Sequence, residues 1–247
     1  MDPFTAELAT QADPEIGQEL IRVRHADGRV EEVRLHDYER LYALPGVYEQ
    51  IVHDRLGCTS PARLAGMLGE AADALAWPRA AVRVLDIAAG NGVSGDALRD
   101  AGLDPVLGTD IVDSARDAAL RDRPATYREY LTLDLLALTE AQRAHVSGLR
   151  ANALSCVAPV GRSRSELPPD ALVAAAGLLQ RDALVVYMHD PSGGVADPVT
   201  AELWRAGLGA ATDAQELART RYVHRHTVNG APFHMDGVVW RLRRPGA

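Results

Sequence analysis

The sequence predicts an α/β protein in which a mostly parallel β-sheet is covered by helices on both faces. Two observations predict this fold class. Between residues 82 and 188, short apolar runs alternate with stretches whose apolar residues recur at helical spacing. At residues 86–92 one such run ends in an acid and passes directly into a small, glycine-rich turn, Asp86-Ile87-Ala88-Ala89-Gly90-Asn91-Gly92. Glycines at a junction between a strand and a helix let backbone N–H groups approach a ligand closely.

The alternating region contains five candidate strands. They are predicted at residues 82–87, 105–109, 126–130, 153–157 and 184–188. The helices between them are predicted near residues 93–101, 114–121, 138–147 and 168–179. Five strands joined by helices are typical of one parallel sheet.

The flanking segments have their own patterns. Residues 1–16 are polar and are predicted to be irregular. Residues 20–35 predict a β-hairpin around Asp27-Gly28, and the edges of this ribbon are free to pair with a second subunit in a homodimer. Helices are predicted at residues 38–56, with an interruption at Pro45-Gly46, and at 61–75. Near the end of the sequence, helices are predicted at 202–208 and 214–218, followed by a hairpin at 220–243.

Composition excludes several classes of function. All 26 basic residues are arginine, so a Schiff-base lysine, a pyridoxal phosphate anchor and a P-loop lysine are impossible. A net charge of −8 disfavours a nucleic-acid partner. The two cysteines do not indicate disulfides or a metal knuckle. No run is long enough to span a membrane and no signal peptide is evident, so we expect a cytoplasmic protein, and the abundance of arginine and alanine favours a bacterial source.

Three acids follow the first three predicted strands in order. Asp86 ends the first, Asp110 ends the second 20 residues after Gly90, and Asp134 follows the third. Ligands of open parallel sheets bind outside the carboxyl ends of the strands. There, a carboxylate after the second strand can accept both ribose hydroxyl hydrogens, and one after the third can accept from an adenine amino group. Each acid alone is most simply a helix cap, but the ordered set predicts a nucleoside site.

Residues 80–190 resemble the class I methyltransferases that use S-adenosylmethionine. The segment Val84–Gly92 is similar to the first motif of that family, with Ala88 where glycine is more usual. The resemblance implies a seven-stranded sheet with an antiparallel last strand, an N-terminal hairpin and helical cap at residues 1–79, and a cofactor-binding core at 80–247. It also assigns S-adenosylmethionine contacts to these residues: Asp86, Ala88, Gly90, Gly92, Asp110, Ile111, Asp134, Leu135, Cys156 and Val157.

Two other functions remain open from the sequence. Residues 90–95 also satisfy the G-x-G-x-x-G pattern of a dinucleotide-binding turn, which would make the protein an NAD(P)-dependent oxidoreductase. Asp86 argues against this, because an acid beside the turn would repel a pyrophosphate. The third alternative is a non-catalytic nucleoside-binding regulator.

Several residues are candidates for acceptor chemistry. His189 is predicted to be a general base at the end of the fifth strand, with Asp190 orienting it or replacing it. Tyr38 and Tyr42 are predicted to close over the pocket, and ordinary aromatic packing is the alternative. His224 and the histidines near it are expected to face solvent, so no essential metal is predicted. The acidic charge and the absence of a basic groove favour methyl transfer to oxygen or nitrogen of a small molecule or short peptide.

Overall fold

The computed structural model of the protein describes residues 4–9, 18–161, 166–192, 197–209 and 212–244. The strands are β1 (Phe4–Leu8), β2 (Leu20–His25), β3 (Val30–Arg34), β4 (Arg83–Ile87), β5 (Asp104–Asp110), β6 (Glu129–Thr132), β7 (Ala153–Pro159), β8 (Asp182–His189), β9 (Asp213–His226) and β10 (Pro232–Arg243). The α-helices are α1 (Tyr38–Ala43), α2 (Ser60–Ala74), α3 (Val93–Asp100), α4 (Asp113–Asp122), α5 (Glu140–Gly148), α6 (Pro169–Ala176) and α7 (Ala201–Leu208). A π-helix occupies Glu49–Arg55, and a short 3-10 helix occupies Arg79–Ala81.

Seven strands form the central sheet, in the order β6-β5-β4-β7-β8-β10-β9. The pairs among β4 to β8 are parallel, whereas β10 is antiparallel to both of its neighbours. This confirms the predicted fold class, including the antiparallel last strand. The five predicted core strands all form, and β6 begins at Glu129, three residues later than predicted. Most residues of β4, β5 and β8 are buried, because helices cover both faces of the sheet.

An N-terminal sheet of three antiparallel strands precedes the core, in the order β1-β2-β3. The predicted hairpin between β2 and β3 is confirmed, with Gly28 at a φ of 86°. The prediction that residues 1–16 are irregular is wrong for β1. Its alternating residues Phe4, Ala6 and Leu8 pack on the apolar face that β2 and β3 share with the π-helix, and this burial offsets the polar composition. Ala9 follows β1 and is buried, whereas residues 1–3 and 10–16 of that segment lie outside the described part of the chain.

The helices after this sheet form as predicted, with one irregularity. Gly46, at a φ of 77°, separates α1 from the π-helix, as the Pro45-Gly46 interruption indicates. Helix α1 packs on α4 through Tyr42, Ala115 and Ala118. Helix α2 packs on the central sheet, where Leu64 and Leu68 are fully buried.

The C-terminal hairpin is longer than the sequence predicts. Residues 214–218 were expected to be helical, but they belong to β9 and pair with β10. Their alanines and glutamate favour helix locally, and twelve residues of pairing to β10 override that weak preference. Among the residues that the structure describes, none of the helices is both long and apolar enough to cross a lipid bilayer.

Candidate active site

A cavity of about 630 Å³ lies at the carboxyl-terminal edge of the central sheet. Residues that follow β4, β5 and β6 line one part of it, among them Ala88, Ile111 and Leu133. Residues from the ends of β7 and β8 continue the lining, and α1 and the π-helix contribute aromatic side chains. The volume falls in the range of about 300 to 1,000 Å³ that is typical of pockets for small ligands.

The glycine-rich turn has a strained backbone that the sequence explains. Ala88, Gly90 and Gly92 all have positive φ, at 50°, 54° and 90°. Left-handed backbone costs little for glycine and is unfavourable for alanine, so the strain of this turn lies at Ala88. Ala88 and Gly90, which are predicted to contact the cofactor, line the cavity. Gly92 is not one of the described residues that line the cavity, and it precedes the first turn of α3.

Asp110 lies in the cavity and is held in place by the backbone. Its Oδ2 accepts a hydrogen bond from the N–H of Gly90 at 3.0 Å, and its Oδ1 accepts from the N–H of Val112 at 3.2 Å. Burial raises the pKa of this carboxyl, and these N–H groups oppose the rise. Each oxygen keeps a second lone pair for a ligand hydroxyl. The next residue, Ile111, lines the same cavity with 66% of its surface exposed, so a large apolar side chain flanks the carboxylate.

Asp134 and Leu135 line the cavity after β6. The Asp134 carboxylate is exposed, and its Oδ1 accepts from the N–H of Leu136 at 2.9 Å in a local turn. Asp134 therefore stabilises a turn rather than capping a helix, and its second oxygen remains available to a ligand.

Asp86 does not face the cavity, contrary to the sequence-based argument for it. The side chain is fully buried, and its Oδ2 accepts hydrogen bonds from Ser94 and Tyr127, both at 2.6 Å. Burial raises the pKa of Asp86 to about 6, although these two donors oppose the rise. Asp86 therefore supports the turn through Ser94, which does line the cavity, and its charge is not an argument against a nearby pyrophosphate.

Cys156 is also buried away from the cavity. Its thiol points into the core cluster and contacts the carbonyl oxygen of Ala158 at 3.4 Å. Successive side chains of a strand point to opposite faces, so Val157 takes the cavity-facing position, and the backbone then turns Ala158 and Pro159 into the lining as well.

His189 cannot act as the predicted base. Its side chain is 96% buried, and it is not among the described residues that line the cavity. Arg219 donates to its Nε2 at 3.0 Å. A guanidinium can only donate, so the imidazole lone pair is already used. Asp190 does line the cavity, and its Oδ1 accepts from the N–H of Ser192 at 2.8 Å.

An aromatic cluster lines the cavity at the cap. Tyr38 stacks on Tyr42, with ring centroids 5.9 Å apart and an angle of 19° between the rings, and Tyr48 contacts both. His36 lies beside Tyr38, and His53 lies beside Tyr48. Burial raises the pKa of Tyr38 to about 12 and also raises the pKa of Tyr42 well above its usual value, so both phenols are neutral at pH 7.

The cap is bonded directly to the glycine turn. Glu49, in the π-helix, accepts from the side-chain amide of Asn91 at 2.6 Å and from Arg123 at 2.7 Å. Arg123 also donates to the carbonyl of Asn91 and to Asp96. Sequence reasoning missed this link, because its members come from three distant segments.

Sequence reasoning also missed a polar wall contributed by β9. His224 and Arg225 line the cavity, although His224 was expected to face solvent. Arg225 donates to Glu19 at 2.6 Å, and this ion pair is almost completely buried. The sequence of β9 gives no signal for this polar wall, because its polar residues alternate as they do in a strand with one solvated face. In the structure the cap covers that face.

No group of three histidine, cysteine or acidic side chains able to hold a metal ion occurs in the described part of the chain.

Comparisons with known proteins identify the fold. No protein-family model matches the sequence, and no curated protein matches it. The structure is similar to that of an S-adenosylmethionine-dependent methyltransferase from Anabaena variabilis, with a TM-score of 0.54 and 13% identity over 86% of this chain and 96% of that one. The chain has the class I methyltransferase fold.

A second structure supports the same fold. A Pyrococcus horikoshii protein described as a candidate RNA methyltransferase is similar with a TM-score of 0.52 and 15% identity, over 73% of this chain and 82% of that one. The class I methyltransferase fold differs from the dinucleotide-binding order 3-2-1-4-5-6 in its inserted strand, here β10 between β8 and β9.

Proposed function

We propose that the protein is an S-adenosylmethionine-dependent methyltransferase that acts on oxygen or nitrogen of a small molecule or short peptide. The observation that carries the proposal is the carboxylate of Asp110. It stands in the cavity at the end of the second core strand, fixed by the N–H of Gly90, with exposed Ile111 beside it. A carboxylate and an apolar side chain in this arrangement suit a ribose and an adenine ring.

The residues around the cavity fit this cofactor. Thr109 adds a buried hydroxyl to the lining that has no hydrogen-bond partner among the described residues. In this proposal Asp110 binds the ribose, Ile111 flanks the adenine, and Asp134 with Leu135 binds the adenine edge. The turn at Ala88–Gly90 and the backbone near Val157 hold the amino-acid part. When bound, the sulfonium supplies an electrophilic methyl group.

The rest of the cavity would receive the acceptor. Asp190 replaces His189 as the candidate proton acceptor, because it is the one of the two that faces the cavity. Residues 1–79 act as the cap and residues 80–247 as the cofactor-binding core. A capped cavity excludes water and favours in-line attack on the methyl group. Its limited volume and the net charge of −8 support a small acceptor.

Isothermal titration calorimetry tests the proposal with S-adenosylmethionine, S-adenosylhomocysteine and NAD(H) as parallel ligands. We expect both sulfur nucleosides to bind. Asp110→Ala should weaken their binding about 10- to 150-fold, since hydrogen bonds to a charged group contribute about 1.5 to 3 kcal/mol. Asp113→Ala is the matched control, because Asp113 lies nearby with 74% of its side chain exposed. Binding of NAD(H) alone would instead favour an oxidoreductase.

A second measurement separates an enzyme from a regulator. The protein is incubated with S-adenosylmethionine and a mixed panel of phenols, amines and short peptides, and S-adenosylhomocysteine is quantified by mass spectrometry. We expect product that depends on the panel. Tight binding of both nucleosides with no product from any panel would favour a non-catalytic nucleoside-binding protein.

A further inference from the structure

A chain of four side chains in the cavity wall fixes the state of His224. Its Nδ1 lies 2.6 Å from the Ser60 hydroxyl, which lies 2.8 Å from the Tyr222 hydroxyl. The Tyr222 oxygen in turn lies 3.3 Å from the sulfur of Met188. Ser60, Tyr222 and Met188 are buried, and His224 lines the cavity.

The direction of these hydrogen bonds follows from the sulfur at one end. A thioether has no hydrogen to donate, so Tyr222 donates to Met188. The Tyr222 oxygen then accepts from Ser60, whose single hydrogen is used in that bond. In this arrangement Nδ1 of His224 carries the proton and donates to Ser60. The reverse arrangement, in which Tyr222 donates to Ser60 and Ser60 donates to Nδ1, would leave the Met188 sulfur without a donor. The Cys58 thiol, 3.9 Å from the same nitrogen, makes only a weak contact.

This direction leaves Nε2 of His224 with an open lone pair. None of the described residues forms a hydrogen bond to Nε2, and the nitrogen lies on the side of the ring away from Ser60. Burial, the charge of Arg225 and the neighbouring His53 and His36 lower the pKa of His224 to about 3, so the ring is neutral at pH 7. The Arg225 charge is matched by Glu19 at 2.6 Å.

The surroundings of His224 are mainly aromatic. The guanidinium of Arg225, which also lines the cavity and lies 5.7 Å from the centroid of the Phe233 ring, is paired with Glu19. We call the part of the cavity lined by His36, Tyr38, Tyr48, His53, His224 and Phe233 the acceptor chamber. His224 meets Phe233 edge to face, with centroids 5.9 Å apart. Burial keeps the tyrosines protonated and also raises the pKa of the Cys58 thiol. Aromatic walls favour offset or edge contacts with another flat ring.

We propose that the acceptor chamber binds an uncharged, flat aromatic acceptor and that Nε2 of His224 accepts a hydrogen bond from a hydroxyl or N–H group on it. This inference rests on the proposed function, because the flat aromatic molecule is a methyl acceptor only if the other ligand of the cavity is S-adenosylmethionine. It names the class of acceptor and makes His224 the residue that selects it. Ser60 is a positioning residue, because it acts by keeping the proton on Nδ1.

Four simple probes test the acceptor class: phenol, toluene, cyclohexanol and benzylammonium. Their dissociation constants are measured by NMR titration of the full chain, with and without saturating S-adenosylhomocysteine. We expect phenol to bind about five- to tenfold more tightly than toluene, the ratio for one net hydrogen bond. Cyclohexanol and benzylammonium should bind more weakly than phenol. Toluene equal to phenol overturns the role of His224, and cyclohexanol or benzylammonium equal to phenol overturns the acceptor class.

Variants of His224 test the hydrogen bond itself. His224→Phe should remove the preference for phenol over toluene, whereas His224→Gln, which can place an oxygen near Nε2, should retain part of it. His226→Gln is the control, because that neighbouring histidine is exposed. A phenol preference that survives His224→Phe refutes the assignment. Failure of S-adenosylhomocysteine to bind would refute the proposed function. It would leave the test of the acceptor chamber intact, because the probes are also titrated without S-adenosylhomocysteine.

The tautomer of His224 can be measured in the wild-type chain, with the His224→Gln variant used only to assign its signals. In ¹⁵N NMR of histidine-labelled protein at pH 7, the signals missing from His224→Gln should show a protonated Nδ1 and an unprotonated Nε2. Ser60→Ala should shift the pair toward the other tautomer and weaken phenol binding while leaving toluene binding unchanged. A proton on Nε2 in the wild type overturns the proposal.

Discussion

The buried carboxyl of Asp86 should make the folded protein less stable as the pH rises toward neutrality. Its pKa is about 6 in the folded protein against 3.8 for an ordinary aspartate. A group whose pKa is raised by folding stabilises the native state fully below its unfolded pKa, and this stabilisation is lost as the pH rises through the folded pKa. The loss therefore falls between about pH 4 and pH 7.

The magnitude follows from the size of the shift. A difference of about two pKa units corresponds to about 3 kcal/mol, because each unit is worth 1.36 kcal/mol. Asp86→Asn removes the ionisation and can keep the geometry. Its amide oxygen can take the place of Oδ2, which accepts from Ser94 and Tyr127. Its amide nitrogen then lies beside Ser155, the residue paired with Asp86 across β4 and β7.

Urea unfolding at a series of pH values between 4 and 8 measures this effect. The free energy of unfolding of Asp86→Asn, relative to wild type, should rise by about 2 to 3 kcal/mol between pH 4 and pH 7. The comparison between the two proteins cancels the other titrating groups, and Asp113→Asn, at an exposed aspartate, should run parallel to wild type. Parallel curves for Asp86→Asn and wild type would refute the reasoning about burial.

Two further predictions concern the turn and the cavity wall. Gly90→Ala should destabilise the protein by about 2 to 5 kcal/mol and weaken S-adenosylhomocysteine binding, because a Cβ there would overlap the Tyr42 hydroxyl and position 90 has a positive φ. Gly46→Ala is the control, because Gly46 also has a positive φ but open space around it. It should destabilise the protein by only about 1 to 2 kcal/mol in the same thermal and chemical unfolding assays. Glu19→Gln should destabilise the protein by about 3 to 5 kcal/mol, because it leaves the Arg225 guanidinium buried without its partner. The double variant Glu19→Gln with Arg225→Met should recover most of that lost stability. A single variant as stable as wild type would show that the ion pair is solvated.

The sequence was sufficient for the fold because its signals are local and repeated. Apolar runs, helical spacing and the turn at Gly90 each indicate the same alternating architecture, and pairing within the sheet agrees with them. The segment at 214–218 shows the limit: its alanines and glutamate favour helix, and only the neighbouring β10 makes it a strand. Local preference is weak where a long partner strand is present.

The residues that line the cavity were predictable from the sequence after β5 and β6, and less so on the side formed by β9. The order of Asp110 and Asp134 along the strands indicates positions in the cavity. The directions of the Asp86, Cys156 and His189 side chains depend on partners such as Tyr127 and Arg219, which come from distant parts of the chain. For the same reason no sequence pattern indicated the environment of His224.

The position of β10 constrains how the protein folds during synthesis. Among the described strands, β10 comes last in the sequence, yet it is inserted between β8 and β9. Until it emerges from the ribosome, the apolar edge of β8 has no neighbour on that side and is open to pairing with another nascent chain. In a chain that terminates before residue 232, we expect the same edge to stay open to such pairing.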